Sequence, residues 1–288
     1  LLNLSEHQAY LVRRAANGLR EAPRWWGSCR DKFLRGMEWS VGEKIYHLVQ
    51  ATSDESLWLV RKKGSDITVA ELCVYVDDFL LSCESKEMGQ AFFAKMSEQW
   101  KLSSCDFISP IEGEEGAATS SGFCGYDLGY ITDGDGSRIL RISQAAYTKQ
   151  LLRDHGMSSC NAVATPCDPA DVVSPKDVED QEYEDSELAA AQAAVGELVW
   201  LSSRSRVDLA YAVARAAAIL SRSPKIALER CKRAWRYLAG TLDYALLARP
   251  WKVEDYIFHK NYTAIADCLD RRDLLIADEE RDGNYLAV

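Results

Sequence analysis

The stretch Ala70-Glu-Leu-Cys-Val-Tyr-Val-Asp-Asp-Phe-Leu-Leu-Ser-Cys83 contains two adjacent aspartates, Asp77 and Asp78, between two short apolar runs. Runs of β-favouring residues separated by two turn-tolerant ones predict a β-hairpin with the two aspartates in its turn. Neighbouring carboxylates repel each other once they are desolvated, and a hard divalent cation such as Mg²⁺ would relieve that repulsion. The stretch alone therefore leaves two interpretations open: a solvated hairpin tip, or a site for a divalent cation.

Length and composition narrow the class of protein. The chain has 288 residues, of which 47% are hydrophobic, which is enough for one large or two ordinary domains. No apolar run approaches the length of a bilayer span, so we expect no membrane partner. Nine cysteines without a C-x-x-C pair argue against a disulfide framework or zinc ribbon and predict a reducing, intracellular location, cytoplasmic or nuclear. Leu1-Leu2-Asn3 is neither a signal peptide nor a clean domain start, so we expect a piece of a longer chain.

The net charge of -10 is distributed unevenly along the chain. Residues 168–187 include nine acidic side chains and one lysine, whereas residues 204–236 include nine basic side chains and two acidic ones. Residues 13–35 form another basic stretch, with seven Lys or Arg against two acidic residues. Two basic faces with an acidic connector could hold a polyanion, although solvated helix faces explain the same charges equally well.

Periodicity and capping residues predict an α+β fold, with mixed strands and helices first and helices alone near the end. The predicted strands are 45–50, 57–62, 67–76, 79–83, 123–131 and 138–142. The predicted helices are one opening at Pro23 and running to about Met37, one from Ser85 to about Trp100, one capped by Ser143 and ending at His155-Gly156, and three over 187–202, 207–221 and 224–239. The helix from Ser85 is predicted to carry Met88, Phe92 and Met96 on one face, and the helix over 207–221 to carry Leu209, Val213, Ala217 and Leu220 on one side.

Four blocks of sequence add a more specific signal. They are Gly18-Leu-Arg-Glu-Ala-Pro-Arg-Trp25; Val74-Tyr-Val-Asp-Asp78; Ile142-Ser-Gln-x-x-Tyr147 with Leu151-Leu152, Gly156-Met157 and Thr165-Pro166; and Val195–Leu201, Asp208–Ala212 and Lys232–Thr241. In this order they resemble the reverse transcriptase region of the Pol polyproteins of copia-type long-terminal-repeat retrotransposons. The first block is similar to G-L-K-Q-A-P-R-x-W, the second to the Y-V-D-D hairpin, and the third to I-x-Q-x-x-Y…L-L…G-M…T-P. Ordered blocks over residues 10–247 are far more specific than one tetrapeptide.

The resemblance implies a domain plan and an activity. Residues 1–160 would be a partial polymerase palm, an antiparallel sheet with helices, and 161–187 an acidic, proline-containing linker. Residues 188–250 would form a small helical region like a thumb or connection, and 251–288 a degenerate tail or the start of a ribonuclease H-like domain. The implied activity is RNA-directed DNA polymerisation with Mg²⁺ or Mn²⁺ as cofactor, by the two-metal route. The implied partners are an RNA or DNA template-primer and dNTPs.

The resemblance also assigns site residues. Asp77 and Asp78 correspond to two of the family's three catalytic, metal-binding aspartates, and Tyr75 to a position near the primer end and the incoming nucleotide. Structural roles stay open for each, such as a strand aromatic or a solvated charge. The residues that would seat nucleotide and template are Gly18, Arg20, Glu21, Pro23 and Arg24. The charge pattern, independently of the resemblance, predicts that Arg230, Arg233 and Arg236 face out of the last helix and bind nucleic acid.

The sequence departs from the family pattern at several positions. The family's first catalytic aspartate lies upstream of the Gly18 block, and residues 1–17 contain no Asp. We therefore expect the site to need an upstream Pol segment as a partner. Glu21 stands where the family has Gln, Phe123-Cys-Gly125 replaces F-L-G, and Ser205-Arg-Val-Asp208 replaces T-R-P-D. These departures keep an alternative open, a decayed or repurposed, non-enzymatic element remnant that at most binds nucleic acid.

Overall fold

The computed structural model describes residues 19–103, 105–168 and 178–249, and the backbone of a strand at 285–287. The described chain has two β-sheets and six α-helices, which confirms the predicted α+β class. It divides into two compact units, Leu1–Phe107 with Val253–Val288, and Ile108–Lys252. None of the helices among the described residues has the length and apolarity needed to cross a membrane. Gly18 and most of the predicted tail, 251–288, lie outside the described residues.

The first unit is built on a meander of five antiparallel strands. Residues along Thr68–Tyr75 alternate between buried and less buried, so every second side chain faces the core. This period of two is typical of a β-strand with one face on a core. The elements are α1 (Ala22–Gly36), β1 (Glu38–Val41), β2 (Lys44–Gln50), β3 (Leu57–Lys62), β4 (Thr68–Tyr75), β5 (Asp78–Cys83), α2 (Lys86–Ser97), β6 (Phe107–Ile108) and β11 (Tyr285–Ala287), with sheet order β1-β2-β3-β4-β5-β11-β6.

Two helices share the core of this unit with the sheet. The predicted start of α2 is confirmed, because the Ser85 hydroxyl accepts a hydrogen bond from the Met88 amide at 3.3 Å. The predicted inward face of α2 is confirmed as well, since Met88, Phe92 and Met96 are all buried. The buried cluster includes Leu34 of α1, Met88, Phe92 and Met96 of α2, and Trp58, Leu72 and Val74 of the sheet.

The second unit combines a small sheet with a helical layer. Its α4 starts with a reciprocal cap, in which the side chains of Glu184 and Glu187 each bond the other's backbone amide. Leu151 and Leu152 of α3 share one buried cluster with the helices that follow. The elements are β7 (Ser121–Phe123), β8 (Tyr126–Thr132), β9 (Arg138–Ser143), α3 (Ala145–Asp154), α4 (Asp185–Ser202), a 3-10 helix (Val207–Leu209), α5 (Ala210–Ala217), α6 (Pro224–Gly240) and β10 (Leu246–Ala248), with sheet order β10-β9-β8-β7.

Two predictions near the small sheet are wrong. The single strand expected over 123–131 is two strands, β7 and β8, joined at Cys124-Gly125, where both residues have positive φ, 51° and 80°. Ser143 does not cap α3 but lies buried in β9. The carboxylate of Asp127 instead accepts a hydrogen bond from the Ala146 amide at 2.9 Å, a long-range contact that takes over the cap's role.

The prediction of one helix over 207–221 is also only partly correct. It opens as a 3-10 turn and continues as α5, which ends at Ala217, four residues earlier than predicted. Ala216 is 2% exposed and therefore belongs to the core, whereas the predicted Ala217 is exposed. Leu209 and Val213 are buried as predicted.

The described parts of the acidic segment lie against the helices of the same unit. Val178 packs with Ile219 and Ala227, and the Gln181 amide donates to the carbonyl of Arg222 at 2.9 Å. The Asp180 carboxylate also accepts from the Arg222 guanidinium. Residues 169–177 lie outside the described residues. The two units divide between residues 107 and 108, and the domain boundaries expected at 160, 187 and 250 stay predictions.

Candidate active-site hairpin

The β4–β5 hairpin presents Tyr75, Val76, Asp77 and Asp78 at its tip. The sequence predicted a turn made of the two aspartates. In the structure Tyr75 pairs with Asp78, so the two turn residues are Val76 and Asp77. All four residues are exposed, with 54% for Tyr75 and 56% for Val76. The two consecutive aspartates are therefore both exposed, Asp77 in the turn and Asp78 at the first position of β5.

Exposure changes the argument for a cation at this tip. Solvated carboxylates do not need a cation to offset desolvation, so the repulsion argument from the sequence does not apply here. Among residues 19–103, 105–168 and 178–249, no three His, Cys, Asp or Glu side chains come together as a metal site. Mg²⁺ requires six oxygen ligands in near-octahedral geometry, and usually keeps several waters among them. Asp77 and Asp78 thus fit part of a ligand set, and the described residues alone do not complete it.

The turn has an unusual backbone that a neighbouring helix holds in place. Val76 has φ of +55°, in the left-handed region, which costs a β-branched residue on the order of 1–3 kcal/mol. Its carbonyl oxygen accepts two hydrogen bonds from α1, from Trp26 Nε1 at 2.8 Å and from Arg30 Nη1 at 2.9 Å. The Trp26 ring meets the Trp100 ring edge-on at 5.4 Å between centroids. The helix that begins within the first sequence block therefore meets the hairpin of the second block at one backbone oxygen.

The beginning of α1 carries the predicted nucleotide-seating residues. Pro23 lies in the first turn of the helix, where its missing N–H costs no hydrogen bond. Arg20, Glu21 and Arg24 are exposed there, and Glu21 occupies the N-cap position without a side-chain capping bond. The structure therefore brings these residues to the helix that contacts the hairpin tip, and their role in binding nucleotide stays a prediction.

The sequence did not predict the two residues of α1 that contact the hairpin, Trp26 and Arg30. Trp25, quoted with the first block, is 53% exposed, whereas Trp26 makes the contact with Val76. The R-x-W spacing of the family pattern was the signal that could have identified Trp26. Arg30 lies beyond the block, and no sequence pattern distinguished it from the other basic residues of α1.

The second unit brings the third and fourth blocks together in a buried polar network. The Ser205 hydroxyl donates to Gln144 Oε1 at 2.8 Å, and both residues are buried. The Arg206 side chain is 3% exposed and pairs with Asp208, with contacts of 3.1 and 2.8 Å. Arg206 also donates to the carbonyl and the hydroxyl of Thr241, at 3.0 and 2.7 Å. Burial raises the pKa of Asp208, but hydrogen bonds from Arg206 and Tyr237 outweigh it, so the pKa lies below its ordinary value.

The three arginines predicted to face out of α6 are half-buried and contact their own unit. Arg230 donates to the carbonyl of Arg215 at 2.9 Å, and Arg236 donates to the carbonyl of Asn161 at 2.7 Å. Arg233 donates to the Thr165 hydroxyl at 3.2 Å. The contacts of Arg233 and Arg236 hold the segment 161–168 against α6, and that of Arg230 joins α6 to α5. Binding of nucleic acid by these arginines stays a prediction.

Comparison with known proteins agrees with the resemblance seen in the sequence blocks. The chain is similar to retrovirus-related Pol polyproteins from plant transposons, which confirms the resemblance to copia-type Pol polyproteins. It is 25% identical over 243 residues to the polyprotein from transposon RE1 of Arabidopsis thaliana, covering 83% of this chain and 14% of the relative. It is 24% identical over 238 residues to the polyprotein from transposon TNT 1-94 of Nicotiana tabacum, covering 82% of this chain and 16% of the relative.

The chain thus spans about one seventh of the length of these relatives, which are far longer polyproteins. No family model matches the chain. No solved structure matches it either. The similarity supports a retrotransposon-derived protein, and the assignment to the reverse transcriptase region of the polyprotein stays a prediction from the sequence blocks.

Proposed function

We propose that this chain is a segment of the RNA-directed DNA polymerase, the reverse transcriptase, of a copia-type retrotransposon. The observation that carries the proposal is the Tyr75-Val-Asp-Asp78 tip, where two adjacent carboxylates are exposed on a hairpin tied to the helix of the preceding sequence block. Similarity to three Pol polyproteins over more than four fifths of the chain supports the same assignment. Exposed carboxylates on a hairpin whose turn is hydrogen-bonded to α1 are suited to a substrate that arrives from solvent with metal ions.

In the proposed reaction, Asp77 and Asp78 supply oxygen ligands for Mg²⁺ or Mn²⁺. Bound divalent ions would activate the primer hydroxyl and stabilise the leaving pyrophosphate. Within this chain, the two carboxylates would bind the cation. Tyr75 lies beside them at the end of β4, and Trp26 and Arg30 hold the turn. Because two carboxylates complete only part of a ligand set, we propose that an upstream Pol segment contributes the third.

Primer extension tests the proposal directly. The chain would be assayed alone and joined to the coding sequence that precedes it, with an RNA template, a DNA primer, dNTPs and Mg²⁺. We expect no synthesis by the chain alone and synthesis by the joined polypeptide. Robust synthesis by the chain alone would contradict the requirement for an upstream carboxylate. No synthesis by a joined polypeptide that unfolds cooperatively would contradict the polymerase proposal.

A second candidate is a non-enzymatic remnant that binds nucleic acid. Glu21 favours it, because its exposed side chain puts a negative charge where the resemblance predicts that nucleotide or template approaches. This candidate predicts that nucleic acid binds through Arg230, Arg233 and Arg236 and that its affinity falls as the salt concentration rises. The reason is that each arginine that neutralises a phosphate releases a counterion from the nucleic acid. Replacement of each arginine by Gln should lower the affinity and reduce the salt dependence, with Lys225→Gln on the same helix as control. Unchanged binding in the folded variants would eliminate this candidate.

A further inference from the structure

The turn of the β4–β5 hairpin is hydrogen-bonded to α1 through a single backbone atom, the carbonyl oxygen of Val76. Trp26 and Arg30 are four residues apart, so they lie on the same side of the helix one turn from each other. Both donate to the carbonyl oxygen of Val76, at 2.8 and 2.9 Å. The Val76 carbonyl lies directly before Asp77 in the chain. Any rotation of this peptide group therefore moves the backbone that carries the first carboxylate.

Arg30 is itself fixed by its neighbour. Its Nε and Nη2 lie 2.9 and 2.8 Å from Oδ1 of Asp31, and the two side chains are 12% and 16% exposed. A guanidinium is a rigid planar fork, so two nitrogens held by Asp31 leave Nη1 directed at the Val76 carbonyl. A lysine ammonium cannot reproduce this arrangement, because it is a single point charge without fixed donor directions.

The positive φ of Val76 explains why the turn needs the hydrogen bond from Arg30. A β-branched residue with positive φ persists only where its surroundings hold it there. Glycine would adopt the same φ without a steric cost. The dependence of the turn on its helix contacts should therefore disappear when residue 76 is glycine.

We propose that Arg30, oriented by Asp31, is a positioning residue that fixes the left-handed turn at Val76 and thereby sets the placement of Asp77 and Asp78. This inference rests on the proposed function for its catalytic consequence, because the placement of Asp77 and Asp78 affects DNA synthesis only if they bind the metal ions of a polymerase. Its structural part concerns the turn alone and can be measured without any activity.

Hydrogen exchange on the chain itself tests the structural part. In Arg30→Met, the peptide covering residues 74–80 should exchange on the order of tenfold faster than in the unaltered chain, because the turn opens more often. Lys32→Met, an exposed lysine on the same helix, is the matched control and should leave exchange unchanged. Arg30→Lys should give an intermediate rate. Equal exchange in Arg30→Met and the unaltered chain would overturn the proposal, whatever the polypeptide synthesises.

A double-mutant comparison tests the catalytic part in the joined polypeptide. Arg30→Met should lower kcat on the order of a hundredfold with little change in KM for dNTP, because small misplacements of catalytic groups are costly. In the Val76→Gly background the same change should cost on the order of threefold or less. Equal losses in both backgrounds would overturn positioning through Val76. If the unaltered joined polypeptide makes no DNA, the proposed function fails, and the exchange measurement still decides the role of Arg30.

Discussion

The hairpin tip of the first unit and the polar network of the second unit consist of residues from the same set of sequence blocks, yet their surroundings are opposite. Tyr75 at the tip is 54% exposed, whereas the Arg206 side chain is 3% exposed. In the network Arg206 forms its hydrogen bonds with Asp208 and Thr241, which belong to the same unit. Side chains that hold a fold together are buried with their partners, and side chains that meet a substrate must reach solvent. Resemblance alone does not separate these roles, and burial does.

The comparison predicts that changes in the network destabilise the protein, whereas changes at the tip do not. Arg206→Ala should lower the free energy of unfolding most, by about 3 kcal/mol, because it leaves Asp208 and Thr241 without their buried partner. Urea denaturation of the second unit measures this effect. The matched control is Arg204→Ala, whose guanidinium stacks on Trp200 at 3.7 Å and should contribute at most about 1 kcal/mol. Equal effects of the two substitutions would break the comparison.

A smaller loss is expected from the contact that joins the third and fourth blocks. Ser205→Ala removes the donor to Gln144 Oε1, and Gln144 Nε2 is already buried without a partner. Leaving a buried acceptor unsatisfied costs about 1–2 kcal/mol, which should appear as a lower urea midpoint. Ser203→Ala changes an exposed serine two residues earlier and should have almost no effect. A Ser205→Ala protein as stable as the Ser203→Ala control would show that this contact does not stabilise the unit.

The network should also make stability depend on pH in a defined direction. The pKa of Asp208 is lowered in the folded chain, so its ionised form stabilises the fold above the unfolded pKa, about 3.8. This contribution is lost as the pH falls through the folded value. The stability difference between the unaltered chain and Asp208→Asn should therefore be constant at neutral pH and shrink below pH of about 4. Denaturation midpoints of both proteins at successive pH values measure it, and a difference that grows on acidification would contradict the assigned ion pair.

The smallest effect on stability is expected at the hairpin tip. Asp77→Asn and Asp78→Asn alter exposed side chains, so each should change the free energy of unfolding by less than about 0.5 kcal/mol. The same denaturation experiment measures both. A loss as large as that of Ser205→Ala would show that the tip carboxylates stabilise the fold, and the contrast between the two regions would disappear.

The features that could be predicted from the sequence are local ones. The strands β2 to β5 follow from short periodic runs, and the start of α2 follows from a serine three residues before the amide that it caps. The features that were missed depend on contacts between distant residues. Arg30 meets Val76 across 46 positions, and Ser205 meets Gln144 across 61. No pattern within one element indicates such partners, since they meet only once the units have folded.

The candidate site divides in the same way. The motif predicted a hairpin and identified the two aspartates, but the turn begins one residue earlier than expected. A β-branched residue is disfavoured at positive φ, so sequence preferences placed the turn on the aspartates. Two side chains from α1 override that preference at Val76. The final placement of the carboxylates is therefore a tertiary effect.

The most direct measurement compares synthesis and stability in the same variant of the joined polypeptide. Asp77→Asn should abolish Mg²⁺-dependent primer extension while its free energy of unfolding stays within about 0.5 kcal/mol of the unaltered protein. Asp66→Asn is the matched control, because it makes the same chemical change at an exposed aspartate of the same unit, between β3 and β4, and it should retain full synthesis. Undiminished synthesis by folded Asp77→Asn would contradict the account that this exposed hairpin is the catalytic part of a polymerase.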